Sequence, residues 1–237
     1  MTRTRWIIFA VICTLILGGL VLLSKKDSVD VSSLDPSKAV SQTETAIGDH
    51  VYGDASSEVV LIEYGDFQCP GCGGAFPQLK AIKELYKDDI AFIFRNFPLT
   101  NIHPNALAAA TAAEAAGLQG EDKFWRMHDV LFQNQDAWSG ATTAQRTDVF
   151  AEYAKNIGLD VNKFKEDLSN KQVAAKISRD RAFGQKLGIT GTPTLYIGNE
   201  KLSDEEITDL IQGSGEKLMD KLDAAIKATG GEPPTRP

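Results

Sequence analysis

The sequence has few cysteines and few histidines. It contains three of each among 237 residues, and a secreted scaffold held together by disulfides would need more cysteines. A zinc site needs four ligands, usually supplied by paired cysteines or histidines, whereas His50, His103 and His128 stand far apart in the chain. We therefore predict no metal site, no cofactor and a fold whose stability comes from its hydrophobic core.

Basic residues are not in excess either. The formal net charge is −7, and the first 26 residues hold four cations and no acid, so the rest of the chain carries −11. Nucleic acids are bound mainly by lysine and arginine, so we expect no nucleic-acid partner. Hydrophobic residues make up 43% and charged residues 24% of the chain, which is typical of globular proteins.

The N-terminus contains the one long apolar run. Residues 6–23 carry no charge, and as a helix this run would be about 27 Å long, enough to cross a hydrocarbon core. Acidic residues follow from Asp27 onward, and no clear small-residue cleavage site follows the run. We therefore predict an uncleaved signal anchor in residues 1–26 rather than a cleaved signal peptide. The protein would be a single-pass cell-membrane protein with its main domain outside the cytoplasm.

Two segments lack any periodic pattern. Residues 27–48 are rich in serine, threonine and aspartate, which predicts a flexible linker. Residues 229–237, at the C-terminal end, are predicted to be a disordered tail. The folded domain is therefore expected to occupy residues 49–228.

Within that domain the pattern predicts an α/β fold. Val59–Ile62 is continuously apolar, as in a central strand, and Ile90–Phe94 is a second strand after an intervening helical pattern. A strand, a helix and a strand in this order favour a right-handed parallel crossover. Residues from about 103 to 187 show only helical patterns, before Thr194–Ile197 returns to a strand and a closing helix follows. We predict a small α/β domain that is interrupted by a helical insertion.

The chemistry is expected at Cys69 and Cys72, which stand between the first strand and the helix. The free N–H groups and the dipole of a helix N-terminus favour an anion, so Cys69 should form a thiolate of low pKa. Cys72 would lie one turn further in, which suggests that Cys69 attacks and Cys72 resolves. The alternatives are half of a zinc site, for which a second ligand pair is missing, and a structural disulfide, whose short loop would constrain the unfolded chain little.

Several stretches resemble one family. Ile62–Cys72 is similar to the active-site region of DsbA-type proteins, within the thioredoxin superfamily, and Gly188–Thr194 resembles the loop where that superfamily carries a cis-proline. Phe97–Leu99 and His103–Ala106 resemble the helical insertion of the DsbA branch. The resemblance covers about residues 50–228. It implies a thioredoxin-like fold with a helical insertion, here preceded by one N-terminal transmembrane helix.

The resemblance also implies roles for individual residues. Thr192 and Pro193 would pack against a Cys69–Cys72 disulfide through a cis peptide bond, and the Thr192 backbone would pair with an extended substrate chain. Glu63, if buried beneath the cysteines, would have a pKa raised by desolvation and could relay a proton to or from Cys72. The alternative is an acid at the strand end that reaches solvent.

The predicted function is that of an extracytoplasmic thiol–disulfide oxidoreductase, an enzyme that donates its Cys69–Cys72 disulfide to unfolded or secreted polypeptides that carry thiols. The resemblance implies reoxidation by a membrane redox partner, possibly linked to quinones. Strongly oxidising DsbA-type members carry a histidine where this chain has Gly71, so we expect a milder oxidant. A disulfide reductase or isomerase is the alternative within this class, and a tethered binding or chaperone module without redox activity is the alternative outside it.

Overall fold

The computed structural model of the protein describes residues 5–6, 9, 11–14 and 29–236. The strands of its main unit are β1 (Val51–Gly53), β2 (Val60–Gly65), β3 (Ala91–Asn96), β4 (Thr194–Ile197) and β5 (Glu200–Lys201). Its helices are α1 (Pro70–Leu85), α2 (Ala106–Gly117), α3 (Glu121–Gln133), α4 (Gln135–Ser139), α5 (Thr143–Asn156), α6 (Val161–Asp167), α7 (Lys171–Lys186), α8 (Asp204–Ile211) and α9 (Glu216–Ala228).

The strands form one mixed sheet with the order β1-β3-β2-β4-β5. Strands β2 and β3 are parallel, with Val60 opposite Ala91 and Gly65 opposite Asn96, and α1 connects them. This confirms the predicted strand–helix–strand crossover. Strand β4 runs antiparallel to β2, and the short β1 pairs with β3 at the edge of the sheet. Strand β1 was not predicted, because three residues are too few to show a periodic pattern.

Strand β2 is buried on both of its faces, as its continuous apolar run predicts. Successive side chains of a strand point to opposite faces, so Leu61 and Glu63 share one face, while Ile62 and Tyr64 share the other. Leu61 belongs to the larger hydrophobic core, which includes residues of α1 and α3. Ile62 and Tyr64 belong to a smaller core with Phe183 of α7.

The helical insertion extends from α2 to α7 and confirms the α/β fold with an inserted helical part. Eight of the twelve residues of helix α2 are alanines, and eight of its residues are buried. Asp160 caps the N-terminus of helix α6. Its carboxylate accepts hydrogen bonds from the backbone N–H groups of Asn162 and Lys163 at 2.9 and 3.0 Å, a common way to satisfy the first free donors of a helix. The insertion packs through α3 and α7 against both sides of the sheet.

Residues 31–48, predicted to belong to a flexible linker, are instead packed against the domain. Val31 and Ile47 are buried. The Lys186 ammonium donates to the Val31 carbonyl at 3.2 Å, and the Arg95 guanidinium donates to the carbonyls of Pro36 and Lys38. The linker prediction was therefore wrong for this part. Its composition gave no warning, because the bonds are made by backbone carbonyls, which every residue carries.

The C-terminal tail also differs from its prediction. Arg236 forms ion pairs with Asp220 at 2.9 Å and with Asp223 at 2.7 Å. Residues 229–236 therefore return to α9 rather than being disordered.

The predicted membrane anchor, residues 1–26, falls largely outside the described residues. Among the residues that are described, no helix has both the length and the apolar character needed to cross a membrane. The anchor and the membrane location stay predictions.

Candidate active site

Cys69 lies at the junction between the sheet and α1. Its backbone is extended, with φ −71° and ψ 122°, and Pro70 is the first residue of the helix. Proline suits this position because the first N–H groups of a helix have no partner within it. The residue is 8% exposed, and its sulfur lies 3.2 Å from the carbonyl oxygen of Thr192. The predicted attacking thiol therefore sits at the helix N-terminus and faces the loop before β4.

The two cysteines differ sharply in acidity. A hydrogen bond from Cys72 and further bonds from backbone N–H groups outweigh burial and lower the pKa of Cys69 to about 5. Burial raises the pKa of Cys72 well above its ordinary value, since its thiol is fully enclosed. Both are free thiols in this structure, which therefore corresponds to the reduced state of the predicted pair. A reactive thiolate beside a shielded thiol is the arrangement needed for attack and resolution.

The loop before β4 lies against the first turn of α1. The Thr192–Pro193 peptide bond is cis, as the resemblance implies. A Cβ atom at Gly71 would lie 3.2 Å from Cδ of Pro193 and 3.7 Å from Sγ of Cys69. The loop is therefore in close contact with the residue between the cysteines, and a side chain at Gly71 would crowd it.

Glu63 lies below the cysteines in the middle of the sheet. It pairs with Phe94 of β3 on one side and with Leu195 of β4 on the other, and only 2% of it is exposed. Burial raises the pKa of its carboxyl to about 8, the nearby cation Lys83 opposes this rise, and Cys69 adds to it. The carboxyl is therefore mostly protonated at neutral pH and is able to give or take a proton there. The predicted burial and its effect on the pKa are both found.

Asp66, which the sequence analysis did not identify, lies at the centre of the active-site turn. It is buried, and its carboxylate accepts hydrogen bonds from the backbone N–H of Gln68 at 2.8 Å and of Leu99 at 2.8 Å. His103 contacts the same carboxylate at 2.7 Å, and the backbone N–H of Asp66 points to Sγ of Cys72 at 3.5 Å. The bond to Gln68 is local and could have been anticipated from an aspartate after a strand. The contact with His103 could not.

The helical insertion is also tied to this turn. The amide of Gln135 donates to the carbonyls of Phe67 and Cys69 at 2.7 and 2.9 Å, and the amide of Gln68 donates to the carbonyl of Ser139 at 2.9 Å. These bonds hold α4 beside the N-terminus of α1. No sequence signal marks them, because their partners are about 70 residues apart.

The side chains gathered here supply a nucleophilic thiolate, a second sulfur and a protonated carboxyl. In the part of the chain that the structure describes, no three side chains of His, Cys, Asp or Glu are grouped so that they could hold a metal ion. His128 is buried among aromatic rings, and burial lowers its pKa to about 4.

Comparison with known sequences gives one family and one group of larger relatives. The family model of thioredoxin matches residues 45–213. The Na⁺/H⁺ antiporter NhaA 1 of Salinispora arenicola is 39% identical over 155 residues, which cover 65% of this chain and 22% of that protein. NhaA 3 of Salinispora tropica is 37% identical over 155 residues, with the same coverage of 65% and 22%. The chain thus spans about a fifth of the length of these curated relatives.

Solved structures share the fold. The thiol-disulfide exchange protein alpha-DsbA2 from Wolbachia pipientis superposes with a TM-score of 0.63 and 24% identity over 75% of this chain and 87% of that one. Oxidised BdbD from Bacillus subtilis gives a TM-score of 0.65 and 24% identity over 80% and 99% of the two chains. DsbA2 of Pseudomonas aeruginosa gives 0.54 and 25% over 72% and 96%. At these identities the superpositions show a shared fold.

Proposed function

The chain belongs to the thioredoxin family, and on that premise we propose that it is a thiol–disulfide oxidoreductase whose reaction runs through Cys69 and Cys72. The observation that carries the proposal is the contrast between the two sulfurs. The pKa of Cys69 is lowered to about 5, while that of the enclosed Cys72 is raised. A sulfur with a low pKa is a good leaving group, and a shielded partner limits attack to one side of the pair.

In the oxidising direction a substrate thiolate attacks Sγ of Cys69 in the enzyme disulfide. The Cys69–Cys72 bond breaks, a mixed disulfide forms, and the Cys72 thiolate takes a proton from Glu63. A second substrate thiolate then attacks the substrate sulfur of the mixed disulfide, and Cys69 leaves as a thiolate. The substrate has lost two electrons and gained a disulfide, and the enzyme is left reduced. The cis loop at Thr192 and Pro193 supports this sequence, because it offers backbone groups beside Cys69 for an extended substrate chain.

Donation of disulfides is the direction that we favour. Stabilising the Cys69 thiolate stabilises the reduced enzyme, which makes the oxidised enzyme a better oxidant. The close contact between Gly71 and Pro193 leaves little room for the histidine of strongly oxidising members, so a moderate strength is expected. Reduction or isomerisation of disulfides uses the same atoms in reverse and is the second candidate.

We also propose where in the cell this chemistry takes place. The charge-free run of residues 6–23 supports a membrane anchor with the catalytic domain outside the cytoplasm, where thiol-containing secreted polypeptides would be the substrates. A membrane redox partner, possibly linked to quinones, would reoxidise the pair. Sodium–proton antiport does not follow for this chain, because it matches only about a fifth of the length of the antiporters.

The test is a trapping experiment with the full-length protein and a reduced, unfolded polypeptide that contains two cysteines. We expect the oxidised wild type to form the substrate disulfide. Cys72→Ser, mixed with the disulfide form of the same polypeptide, should accumulate a mixed disulfide through Cys69, because the Cys69 thiolate attacks the substrate disulfide and Cys72 is then missing to resolve the product. Cys69→Ser should form neither product. Substrate oxidation that persists in Cys69→Ser would refute the proposal and favour a binding module without redox activity. Equilibration with glutathione buffers then separates a donor from a reductase.

A further inference from the structure

The side-chain amide of Gln135 lies against the turn that carries Cys69. Gln135 is the first residue of α4 and is partly buried. Its Nε2 donates to the carbonyl oxygens of Phe67 at 2.7 Å and of Cys69 at 2.9 Å. The Cys69 carbonyl also accepts a hydrogen bond within α1, from the backbone N–H of Gly73 at 3.0 Å. One amide of the helical insertion therefore holds two backbone carbonyls of the segment that connects β2 to α1.

Gly73 leaves the space that this amide occupies. A Cβ atom at position 73 would lie 2.6 Å from Oε1 and 3.0 Å from Cδ of Gln135, so a side chain there would push the amide away. The backbone of Gly73 does not itself need a glycine, because the residue lies inside α1 and is not among those with a positive φ. Glycine is otherwise unfavourable within a helix. The contact with Gln135 is thus a physical reason for a glycine at this position.

Helix α4 is fixed independently of the turn that Gln135 contacts. Trp138 is fully buried, and its indole N–H donates to the carbonyl of Leu131 at 2.9 Å. The side-chain amide of Asn105 donates to the carbonyl of Ser139 at 3.0 Å, and the Ser139 hydroxyl donates to the carbonyl of Gln135 at 2.7 Å. The position of the Gln135 amide is therefore set by the insertion.

The turn that Gln135 holds also surrounds the sulfur of Cys69. The pKa of Cys69 is lowered to about 5 by a hydrogen bond with the Cys72 side chain, by one with Thr192 and by bonds from the backbone N–H groups of Cys72 and Gly71. The direction of these N–H groups depends on how the first peptide planes of α1 are oriented, and the Cys69 carbonyl belongs to the first of them. Gln135 therefore reaches the sulfur through the backbone.

We propose that Gln135 is a positioning residue for thiol–disulfide exchange, whose amide orients the first turn of α1 around the sulfur of Cys69. This inference rests on the proposed function, because the orientation matters for catalysis only if Cys69 exchanges disulfides. Gln135 carries no charge, so its effect does not come from a change in the charges near the sulfur. Two titratable groups that interact with Cys69, Cys72 of α1 and Glu63 of β2, stay in place when Gln135 is replaced.

The direction of the effect follows from the hydrogen bonds. Without the Gln135 amide the carbonyls of Phe67 and Cys69 would lose a donor, and the N–H groups of the first turn would point less directly at the sulfur. Hydrogen bonds to the charged form of a group favour that form, so weaker bonds would raise the pKa of Cys69. A less stable thiolate makes the reduced enzyme less stable relative to the disulfide, and the enzyme would become a weaker oxidant.

The test is the titration of Cys69 in the reduced full-length protein, followed by the ultraviolet absorbance of its thiolate. We expect Gln135→Met, which has a side chain of similar length but no donor, to move the midpoint to higher pH by about one pH unit. Gln133→Met is the matched control, because Gln133 is exposed and lines the same solvent-open cavity as Gln135, and it should leave the midpoint unchanged. Gln135→Ala carries the same expectation as Gln135→Met if the latter does not fold.

The equilibrium with glutathione gives a second measurement. In this reaction the reduced enzyme and oxidised glutathione form the Cys69–Cys72 disulfide and two molecules of reduced glutathione. At neutral pH, a rise of the thiolate midpoint by about one pH unit should shift the equilibrium about tenfold toward the oxidised enzyme in Gln135→Met. A role of Gln135 in packing alone would destabilise both redox forms and leave their ratio unchanged, which would contradict the inference.

Gly73→Ala tests the contact itself. In the wild-type background it should displace the Gln135 amide and raise the midpoint about as far as Gln135→Met does. In the Gln135→Ala background, where the space is open, it should cause no further rise. A full further rise there would overturn the inference, and so would equal midpoints in the wild type, Gln135→Met and Gln133→Met. A wild type that performs no exchange would instead refute the proposed function, whereas the thiolate titration would still decide whether Gln135 orients the turn.

Discussion

Two acidic side chains of this domain, those of Asp49 and Glu63, are both buried but differ in charge at neutral pH: Asp49 is ionised, and Glu63 is mostly protonated. Asp49, before β1, lies 2.8 Å from Nη2 of Arg95 and 3.2 Å from Nζ of Lys176, with all three side chains fully enclosed. Burial by itself would raise its pKa, but Lys176 and Arg95 more than offset this and hold the pKa well below its usual range. Glu63 is as deeply buried, but Lys83 makes its ion pair with Asp129 and only moderates a pKa near 8.

The comparison distinguishes Asp49, whose carboxylate stabilises the fold, from Glu63, whose carboxyl can take part in proton transfer. Burial disfavours charge at both positions, and what differs is whether cations approach to bonding distance. Asp49 keeps its charge and links the N-terminal segment to α7 through Arg95 and Lys176. Glu63 lies under the cysteines with a carboxyl that changes charge near physiological pH. In the active site, Glu63 therefore stays mostly protonated at neutral pH, because the nearby cation Lys83 forms its ion pair with Asp129.

The largest expected effect on stability is at the ion pair between Arg95 and Asp49. Arg95→Met should destabilise the protein by about 3–5 kcal/mol, because it leaves Asp49 buried with an incomplete set of partners and removes the bonds to the carbonyls of Pro36 and Lys38. Urea unfolding at pH 7 measures this. Arg126→Met is the matched control, since that arginine and its partner Asp122 are about 60% exposed, and it should change stability by less than about 1 kcal/mol. Equal effects of the two substitutions would contradict the structural role of the pair.

The opposite sign is expected at Glu63. With a pKa near 8 instead of 4.5, the folded protein keeps a proton that the unfolded chain releases, so stability falls as the pH rises between these values. Glu63→Gln should therefore be more stable than the wild type at pH 7, on the order of 2–3 kcal/mol, and about equal at pH 4. Glu58→Gln, at an exposed position before the same strand, should show no such dependence. A Glu63→Gln variant that is less stable at pH 7 would mean that Glu63 is ionised and paired.

The smallest expected effect on stability is that of His50, which forms ion pairs with two acids. His50 lies 3.2 Å from Glu114 and 2.7 Å from Glu121. Burial lowers its pKa, but these acids outweigh burial and raise it to about 9. A raised pKa stabilises the folded state fully below the ordinary value near 6.5 and loses this contribution as the pH rises through 9. His50→Gln should therefore cost about 1–2 kcal/mol at pH 6 and less at pH 9.5, measured by urea unfolding. An equal cost at both pH values would show that His50 acts through packing on Phe124 alone.

Much of this architecture could be predicted from local patterns. The apolar run of Val59–Ile62, the helical spacing after Cys72 and the strand at Thr194–Ile197 gave the crossover and the return strand. The cysteine pair, Glu63 and the Thr192–Pro193 loop were all recognised, and the structure brings these residues together. The strand and helix signals lie within a few neighbouring residues, where secondary-structure preference and periodicity are expressed, whereas the Thr192–Pro193 loop was recognised from the family resemblance.

Contacts between distant residues were missed. The Asp66–His103 contact joins residues 37 positions apart, and the Arg95–Asp49 pair joins residues 46 positions apart. Lys83 falls in an amphipathic helix where a lysine is ordinarily solvent-exposed, and only the approach of α3 encloses it against Asp129. The packing of residues 31–48 was missed for the same reason, because the cations that bind their carbonyls come from β3 and α7.

The amino-acid sequence by itself determined the order of strands and helices, the place of the two cysteines at a helix N-terminus and the buried strand that carries Glu63. These follow from side-chain periodicity and backbone chemistry, which act over a few residues. The tertiary structure alone decided which buried acids are ionised. A charge in the interior is fixed by the cations and donors within a few ångströms, and at Asp49 and Glu63 those groups come from remote parts of the chain.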